Sequence, residues 1–361
     1  MNKELVIFNP SIEDGGVEKN LFLISNYLAN NKINTTIISA DINKKYKFDK
    51  KIKFLTPSNI NFSNAGRYKK YFFCLILLIK RILFKKNCYI FSFQANIYSI
   101  IVSKLLGAKI IVRMNTAPHG WDHNWLKKII YNYYIKRADG IIVNSKLFKK
   151  EVEKRFNVKS FFINNPFDFK KINKLSRIKI KSYYPKKSLK LITIGRLTEQ
   201  KDHITILKSM SILKKMNLNF RLIIIGKGHL KKKLINFVIE NNLSKNVKFL
   251  GYKKNPFPYL KQAKIFILSS LYEGSPNVLV EALYLKKDVI STNCPTGPKE
   301  ILKNGKYGLL YKIRDHKQLT KKILSLNNNH KLFPTNILKK YDIELTCKHY
   351  MNYLNHVFNL K

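Results

Sequence analysis

Short apolar runs alternate with helical patterns along almost the whole of this chain, and that alternation restricts the fold more than any other feature of the sequence. In the first half, Leu5–Phe8, Thr35–Ser39, Tyr89–Phe93, Lys109–Val112 and Gly140–Asn144 read as strands. Helical patterns lie between them, notably Glu18–Asn30 and Asn96–Leu106. The second half repeats the theme with Leu191–Ile194, Arg221–Ile225, Val247–Phe249, Ile265–Leu268 and Asp288–Ser291. Strands separated by helices imply parallel, doubly wound sheets, because a parallel connection needs a crossover long enough to hold a helix. At 361 residues and 45% apolar content the chain can build two ordinary cores.

Between the halves, Lys171 to Lys190 is Lys-rich, poorly periodic and interrupted by Pro185, which is the composition of a boundary. The expected organisation is an α/β domain over 1–168, a linker over 169–188 and a second α/β domain over 189–343. A terminal helix over 344–361 is free to pack back on the first domain.

The net charge is +48, and of 69 basic residues only nine are Arg. Two explanations stay open: a coding bias toward Lys, Asn and Ile, or an anionic partner such as nucleic acid or a membrane surface. Scarce Arg argues against sequence-specific nucleic-acid recognition, since Arg forks rather than Lys point charges read bases and phosphates bidentately. No nucleic-acid-binding module is recognisable, so a non-catalytic nucleic-acid-binding protein is the remote alternative. Cys74, Cys88, Cys294 and Cys347 are scattered without a CxxC pair or a His cluster, which points to a reducing compartment and no metal site. Met1 to Asn9 has an apolar core of only four residues and reads as a first strand, not a signal peptide. The apolar run beginning at Tyr71 is nine residues long, far short of the roughly 20 that span a bilayer. It reads as a buried helix of an α/β layer with its Lys-rich end near lipid, or as a basic helix lying on a membrane.

Four loops follow strands and carry chemistry-bearing residues. Asp14-Gly15-Gly16-Val17-Glu18 opens a helix, where glycines let backbone N–H groups approach a phosphate or sugar. Arg196 and Lys201, after Leu191–Ile194, can clamp a diphosphate at the end where open α/β sheets bind ligands. Leu250-Gly251-Tyr252-Lys253 can offer backbone groups to a base edge. Cys294, in Asn293-Cys294-Pro295-Thr296-Gly297-Pro298, has no His or Asp partner placed by the sequence and is a poor nucleophile candidate.

The most specific run is Glu273-Gly274-Ser275-Pro276-Asn277-Val278-Leu279-Val280-Glu281-Ala282. Gly274 and Pro276 break the strand before it, and Asn277 is expected to cap a helix through Val278, Leu279 and Leu283. Two carboxylates then flank a helix N-terminus, an arrangement suited to a ligand bearing both hydroxyls and phosphate, such as a nucleotide sugar.

Gly15-Gly16, Gly195-Arg196-Leu197 with Lys201, and Glu273 with seven residues before Glu281 come in the order and approximate spacing of the retaining glycosyltransferases of family 4. The chain resembles that family over essentially its full length. The resemblance implies two Rossmann-like domains facing a cleft (the GT-B architecture), a UDP-sugar donor held mainly by the second domain, and no metal. It implies that Glu273 binds donor-sugar hydroxyls, Glu281 the ribose, and Arg196 and Lys201 the diphosphate as it leaves. It also implies that Gly15 and Gly16 close over the donor phosphates, and that Gly251, Tyr252 and Lys253 lie near the nucleobase. Gly274, Asn277, Val278 and Leu279 would complete the phosphate site. The family has no firmly assigned protein nucleophile, and Glu273 is not assigned as one. Many members carry a histidine at the end of the fourth strand; here Arg113 or Asn115 stands about there, with His119 a few residues on. The resemblance further implies transfer of a hexose or N-acetylhexosamine to a lipid-linked oligosaccharide of O-antigen, capsule or a related surface polymer, at the cytoplasmic face of the inner membrane. A GT-B enzyme using a GDP- or ADP-sugar is the nearer alternative.

Overall fold

The computed structural model of the chain describes residues 3–13, 15–57, 62, 65–85, 87–115, 125–328 and 335–360. The chain divides into two compact units, Met1–Phe167 with Lys340–Lys361, and Asp168–Lys339. The strands of the first unit are β1 (Glu4–Phe8), β2 (Thr35–Ile38), β3 (Lys53–Leu55), β4 (Cys88–Ser92), β5 (Ile110–Arg113), β6 (Gly140–Val143) and β7 (Phe161–Phe162). Those of the second are β8 (Leu189–Ile194), β9 (Phe220–Ile225), β10 (Val247–Gly251), β11 (Ile265–Leu268), β12 (Asp288–Thr292) and β13 (Leu309–Tyr311). Helices α1 (Gly16–Asn30), α2 (Arg67–Phe84), α3 (Asn96–Leu105), α4 (Trp125–Ile135) and α5 (Lys146–Phe156) belong to the first unit. The second holds α6 (Phe169–Ser176), α7 (His203–Lys215), α8 (Lys231–Glu240), α9 (Phe257–Gln262), α10 (Asn277–Tyr284), α11 (Pro298–Ile301) and α12 (His316–Asn328). The last helix, α13 (Ile343–Phe358), returns to the first unit.

Each unit is one parallel sheet, ordered β3-β2-β1-β4-β5-β6-β7 and β10-β9-β8-β11-β12-β13. The fold class is the α/β, doubly wound one read from the alternation. Side-chain alternation explains why both faces are covered. In the first sheet Val6, Phe8, Ile90, Ile110 and Val112 point to one side, against Cys74 and Leu78 of α2 and Phe148 of α5. Leu5, Ile7, Phe91, Ile111 and Ile142 point to the other, against Leu21 and Ile24 of α1 and Tyr350 and Leu354 of α13. Each such aliphatic or aromatic side chain contributes roughly 1.5–3 kcal/mol on burial. The second sheet builds its core likewise from Leu191, Leu222, Ile224, Ile265, Ile267 and Ile290.

The structure departs from three sequence expectations. The segment expected as a linker begins with α6, whose Asp168 cap accepts from the Lys171 N–H at 2.8 Å and whose Ile172 and Ser176 are buried. It belongs to the second unit; its lysines face solvent and hid a short amphipathic helix. The short strands β3, β7 and β13 went unread because two or three residues carry no usable period. The helix expected to be buried, α2, buries only the stripe Lys70, Cys74, Leu78 and Ile82. Phe73, Leu75 and Leu77 are partly buried against the same core, while Phe72 and Leu83 are exposed. Among the described residues no helix is long and apolar enough to cross a membrane.

Candidate functional site

β8 and β11 are neighbours at the point where the second sheet reverses its strand order. Connections leave such a point toward opposite faces, and the carboxyl ends of the two strands open a crevice. The registered pairs of β8 and β11 are Leu191–Ile265 and Ile192–Phe266, in the first half of β11, so the strand ends beyond them are free to feed separate loops. The loop after β8 carries Arg196 and Lys201; the loop after β11 carries Glu273.

The Lys201 ammonium pairs with the Glu273 carboxylate, and the Ser270 hydroxyl donates to the same carboxylate oxygen at 2.6 Å. Both side chains are largely buried, so the pair sits in a medium that screens charge less than water does. The loops are tied together by backbone. The Ser269 hydroxyl donates to the Lys201 carbonyl at 2.7 Å, the Gln200 amide to the Tyr272 carbonyl at 3.0 Å, and the Leu271 N–H to the Gln200 carbonyl at 2.8 Å. From the loop after β12, Thr296 donates its hydroxyl to the Glu273 carbonyl, and Thr292 donates to the Ser270 carbonyl at 2.7 Å. Gly297 follows at φ +34°, where a Cβ would lie 2.6 Å from the Gly274 carbonyl oxygen. The Thr296-Gly297 pair therefore presses on the Glu273-Gly274 turn as no bulkier sequence could.

Arg196 is exposed, with Nη2 3.4 Å from the Gln200 side-chain oxygen. Glu281 lies in the second turn of α10 and is buried. The start of α10 corrects one expectation. Pro276, not Asn277, occupies the cap position, and no side chain caps the helix; Asn277 is its first residue. Proline pre-sets the entering backbone but has no side-chain acceptor to cap the helix, which suits its start to an external anion. Val278 and Leu279 continue the first turn, with the Leu279 N–H donating to the Pro276 carbonyl at 3.0 Å.

Tyr252 follows Gly251 (φ +67°) and is exposed, with the Lys227 ammonium 5.4 Å from its ring centre; Lys253 lies over the ring of Tyr259 at 5.8 Å. Burial, and then the Glu273 charge, push the Cys294 thiol up to about 12, so no thiolate nucleophile is available there. His203 opens α7 next to this loop. It is buried, and neither ring nitrogen has a hydrogen-bond partner among the described residues. Burial, and then the Lys201 charge, lower its imidazole from 6.5 to about 3, so it is neutral.

Residues the sequence reading passed over include Ser270, Gln200 and Thr296, which position Glu273 and Lys201, and Gly226. A Cβ at Gly226 would fall 1.8 Å from the Gly195 carbonyl oxygen, so the loop after β9 rests directly on the loop that carries Arg196. The run Ile225-Gly226-Lys227-Gly228 directly after a strand was the available signal.

In the first unit, Gly15 and Gly16 start α1 beside the reversal between β1 and β4. The Gly15 N–H already donates to Glu18 Oε2 at 3.1 Å, and the Gln94 amide reaches Glu18 Oε1 at 3.5 Å. Arg113 is fully buried: Nε donates to the Tyr350 hydroxyl at 2.9 Å, Nη2 to Asn165 Oδ1 at 2.6 Å, and the guanidinium lies 5.4 Å from the Phe93 ring centre. Asn115 is only partly buried and donates to the Phe93 carbonyl at 2.8 Å. Of the candidates for the missing histidine, Arg113 is thus turned into the core and Asn115 is not. Asp14 and His119 lie outside the described residues. Among the described residues no group of three His, Cys, Asp or Glu side chains is placed to hold a metal ion.

The fold, two Rossmann-like parallel α/β units, is the one seen in solved glycosyltransferases. Residues 176–337 match the family described as Glycosyl transferases group 1. An uncharacterized glycosyltransferase of Methanocaldococcus jannaschii is 39% identical over 220 residues, 55% of this chain and 54% of that protein. The match thus spans about half the length of that relative. A Campylobacter jejuni protein named GalNAc-α-(1→4)-GalNAc-α-(1→3)-diNAcBac-PP-undecaprenol α-1,4-N-acetyl-D-galactosaminyltransferase is 28% identical over 89% of this chain and 88% of its own. Among solved structures, Anabaena HepE in complex with UDP and glucose superposes with a TM-score of 0.79 at 14% identity, covering 98% of this chain and 100% of HepE.

Proposed function

We propose that the protein is a retaining glycosyltransferase that moves a hexose or N-acetylhexosamine from a UDP-sugar to a lipid-linked glycan precursor of a surface polysaccharide. The observation that carries this reading is the Lys201–Glu273 pair at the reversal point of the second sheet, beside the uncapped start of α10. It is supported by the UDP and glucose bound to HepE and by the undecaprenol-linked substrate in the name of the Campylobacter relative.

In this reading the donor diphosphate lies at the start of α10 and takes Lys201 and Arg196 as its counter-charges. The bond between the anomeric carbon and the diphosphate oxygen breaks, and the acceptor hydroxyl oxygen bonds to the same face of that carbon. The acceptor proton leaves toward the departing phosphate oxygen. Negative charge grows on the diphosphate as the bond lengthens, and fixed cations in a partly buried site stabilise it at no reorganisation cost. Glu273, steadied by Ser270, accepts from donor-sugar hydroxyls, and Glu281 from the ribose. Tyr252 and Lys253 border the base. No metal takes part.

A lipid-linked acceptor places the enzyme at the cytoplasmic face of the inner membrane, where each lysine near an anionic leaflet contributes about 1 kcal/mol. The test is a thermal-shift screen with UDP, GDP, ADP and CMP, followed by a donor screen on the lipid-linked acceptor. UDP is expected to raise the melting temperature. Stabilisation by GDP or ADP without UDP would overturn the donor assignment in favour of a mannosyl- or glucosyltransferase.

A further inference from the structure

We infer that the amino-terminal edge of the second sheet carries a second anion site, a lysine-lined cleft that takes a phosphate group accompanied by an O–H donor. The cleft is independent of the donor assignment above, because its residues stand at the opposite ends of the strands from Lys201 and Glu273.

β8, β11 and β12 are neighbours in the sheet, so their amino ends lie side by side. The chain enters each of them through lysine. Lys190 is the second residue of β8, Lys264 stands immediately before β11, and Lys286 and Lys287 immediately before β12. Backbone bonds hold these entries together: the Lys264 N–H donates to the Lys190 carbonyl at 2.8 Å, and the Asp288 N–H to the Lys264 carbonyl at 3.2 Å. All four lysines line one cleft of about 340 Å³, with Ser188, Gln262 and Ala263. That volume suits a small molecule.

Like charges on a surface ordinarily spread into water, where salt screens them. Here the fold gathers them around a concavity. The Lys287 ammonium is fixed by two carbonyls, that of Lys261 at 2.9 Å and that of Ala263 at 3.0 Å. Burial lowers its pKa, Asp288 opposes that, and the Lys261 and Lys190 charges lower it further, so these ammonium groups feel one another. Lys190 and Lys286 have no carboxylate partner among the described residues. An anion set among them replaces repulsion with charge-assisted hydrogen bonds.

Gln262 selects the anion. Its Nε2 donates to the Ile180 carbonyl at 3.4 Å, while its Oε1 is buried and has no hydrogen-bond partner among the described residues. A buried acceptor left without a donor is costly, so the fitting ligand brings an O–H beside its charge. Sulfate brings none. Hydrogen phosphate carries its own, and a sugar phosphate carries hydroxyls next to the phosphate.

The experiment is calorimetric titration and thermal shift of the full chain at constant ionic strength with inorganic phosphate, glucose 1-phosphate and sulfate, each with and without saturating UDP. Both phosphates are expected to bind and to raise the melting temperature on top of any UDP effect, as ligands of separate sites do, with sulfate weaker. Tighter binding of glucose 1-phosphate would assign the O–H to the sugar, and tighter binding of inorganic phosphate to the phosphate itself. Lys190→Gln combined with Lys286→Gln should weaken phosphate binding about tenfold. Gln262→Met should abolish the preference over sulfate. Lys231→Gln combined with Lys232→Gln, on the exposed face of α8, should change neither. Wild type that ignores phosphate, binding that UDP displaces, or binding that the Lys190 and Lys286 substitutions leave intact would overturn the cleft. Sulfate that binds as tightly as phosphate would overturn the phosphate assignment. A missing UDP shift with phosphate binding intact would count against the transferase reading and leave the cleft standing.

Discussion

Arg113 and Lys201 are both cations at the carboxyl edge of a parallel sheet, and the fold uses them in opposite ways. Arg113 is sealed in the first unit against neutral partners, the Tyr350 hydroxyl, the Asn165 side-chain oxygen and the face of Phe93. It joins β5 to α13, 237 residues apart in the chain. Lys201 is held at the edge of the second unit by a single carboxylate, that of Glu273, beside an uncapped helix start. A guanidinium that gives Nε and Nη2 to buried acceptors, with Nη1 buried and without a partner among the described residues, is a structural rivet. An ammonium paired with one carboxylate on a loop can exchange it for a phosphate.

The largest effect that could break this contrast is catalytic. Glu273→Gln is expected to lower turnover on the order of 100-fold while UDP binding is kept, because the substitution releases Lys201. Glu281→Ala should do the reverse, weakening UDP binding roughly tenfold with the smaller effect on turnover. Equal kinetics in both variants and wild type would remove the site from the second unit.

Next comes stability. Arg113→Met strips the Tyr350 hydroxyl and Asn165 of their donor inside the core and should cost about 2–4 kcal/mol in urea unfolding. UDP affinity of the folded fraction should not change. A variant as stable as wild type but inactive would make Arg113 a functional cation like Lys201.

A pH titration of unfolding sharpens the comparison further. His203 is held at about 3 in the fold by burial and by the Lys201 charge, against 6.5 unfolded. Between those values the unfolded chain binds a proton that the native chain refuses, so stability falls as pH drops below 6.5. Replacing the imidazole, as in His203→Leu, should flatten that part of the acid limb; an unchanged slope would show the ring is protonated in the fold. The smallest expected effect is that of a chelator, which on the proposed roles of Arg196 and Lys201 as counter-charges to the diphosphate should leave turnover unchanged. Activity lost to chelation and restored by a divalent cation would refute that assignment.

Much of the second unit could be read in advance. The strands β8 to β12 announce themselves as apolar runs, and the Glu273–Glu281 spacing places one carboxylate on a loop and the other within a helix. What escaped were the supports. Ser270, Gln200 and Thr296 are ordinary polar residues whose value lies in hydrogen bonds across three loops, and sequence distance hides those partners. Asn277 looked like a cap because of its residue type, yet the proline before it took the position. In the first unit, α2 shows the limit of composition: its residues are apolar enough for a core, and only the packing of neighbours reveals which stripe is covered.

The sequence by itself determined the α/β class, the alternation of the longer strands with helices, and the residue types carried on the loops after those strands. Those follow from local periodicity and from loop chemistry at fixed offsets. Only the tertiary structure decided that β8 and β11 meet at a reversal, which brings Lys201 to Glu273 across 72 residues of chain. It also decided that Arg113 is consumed by Tyr350, 237 residues away, and that one apolar face of α2 remains uncovered. Pairings over such separations depend on how elements pack, and no local pattern encodes that.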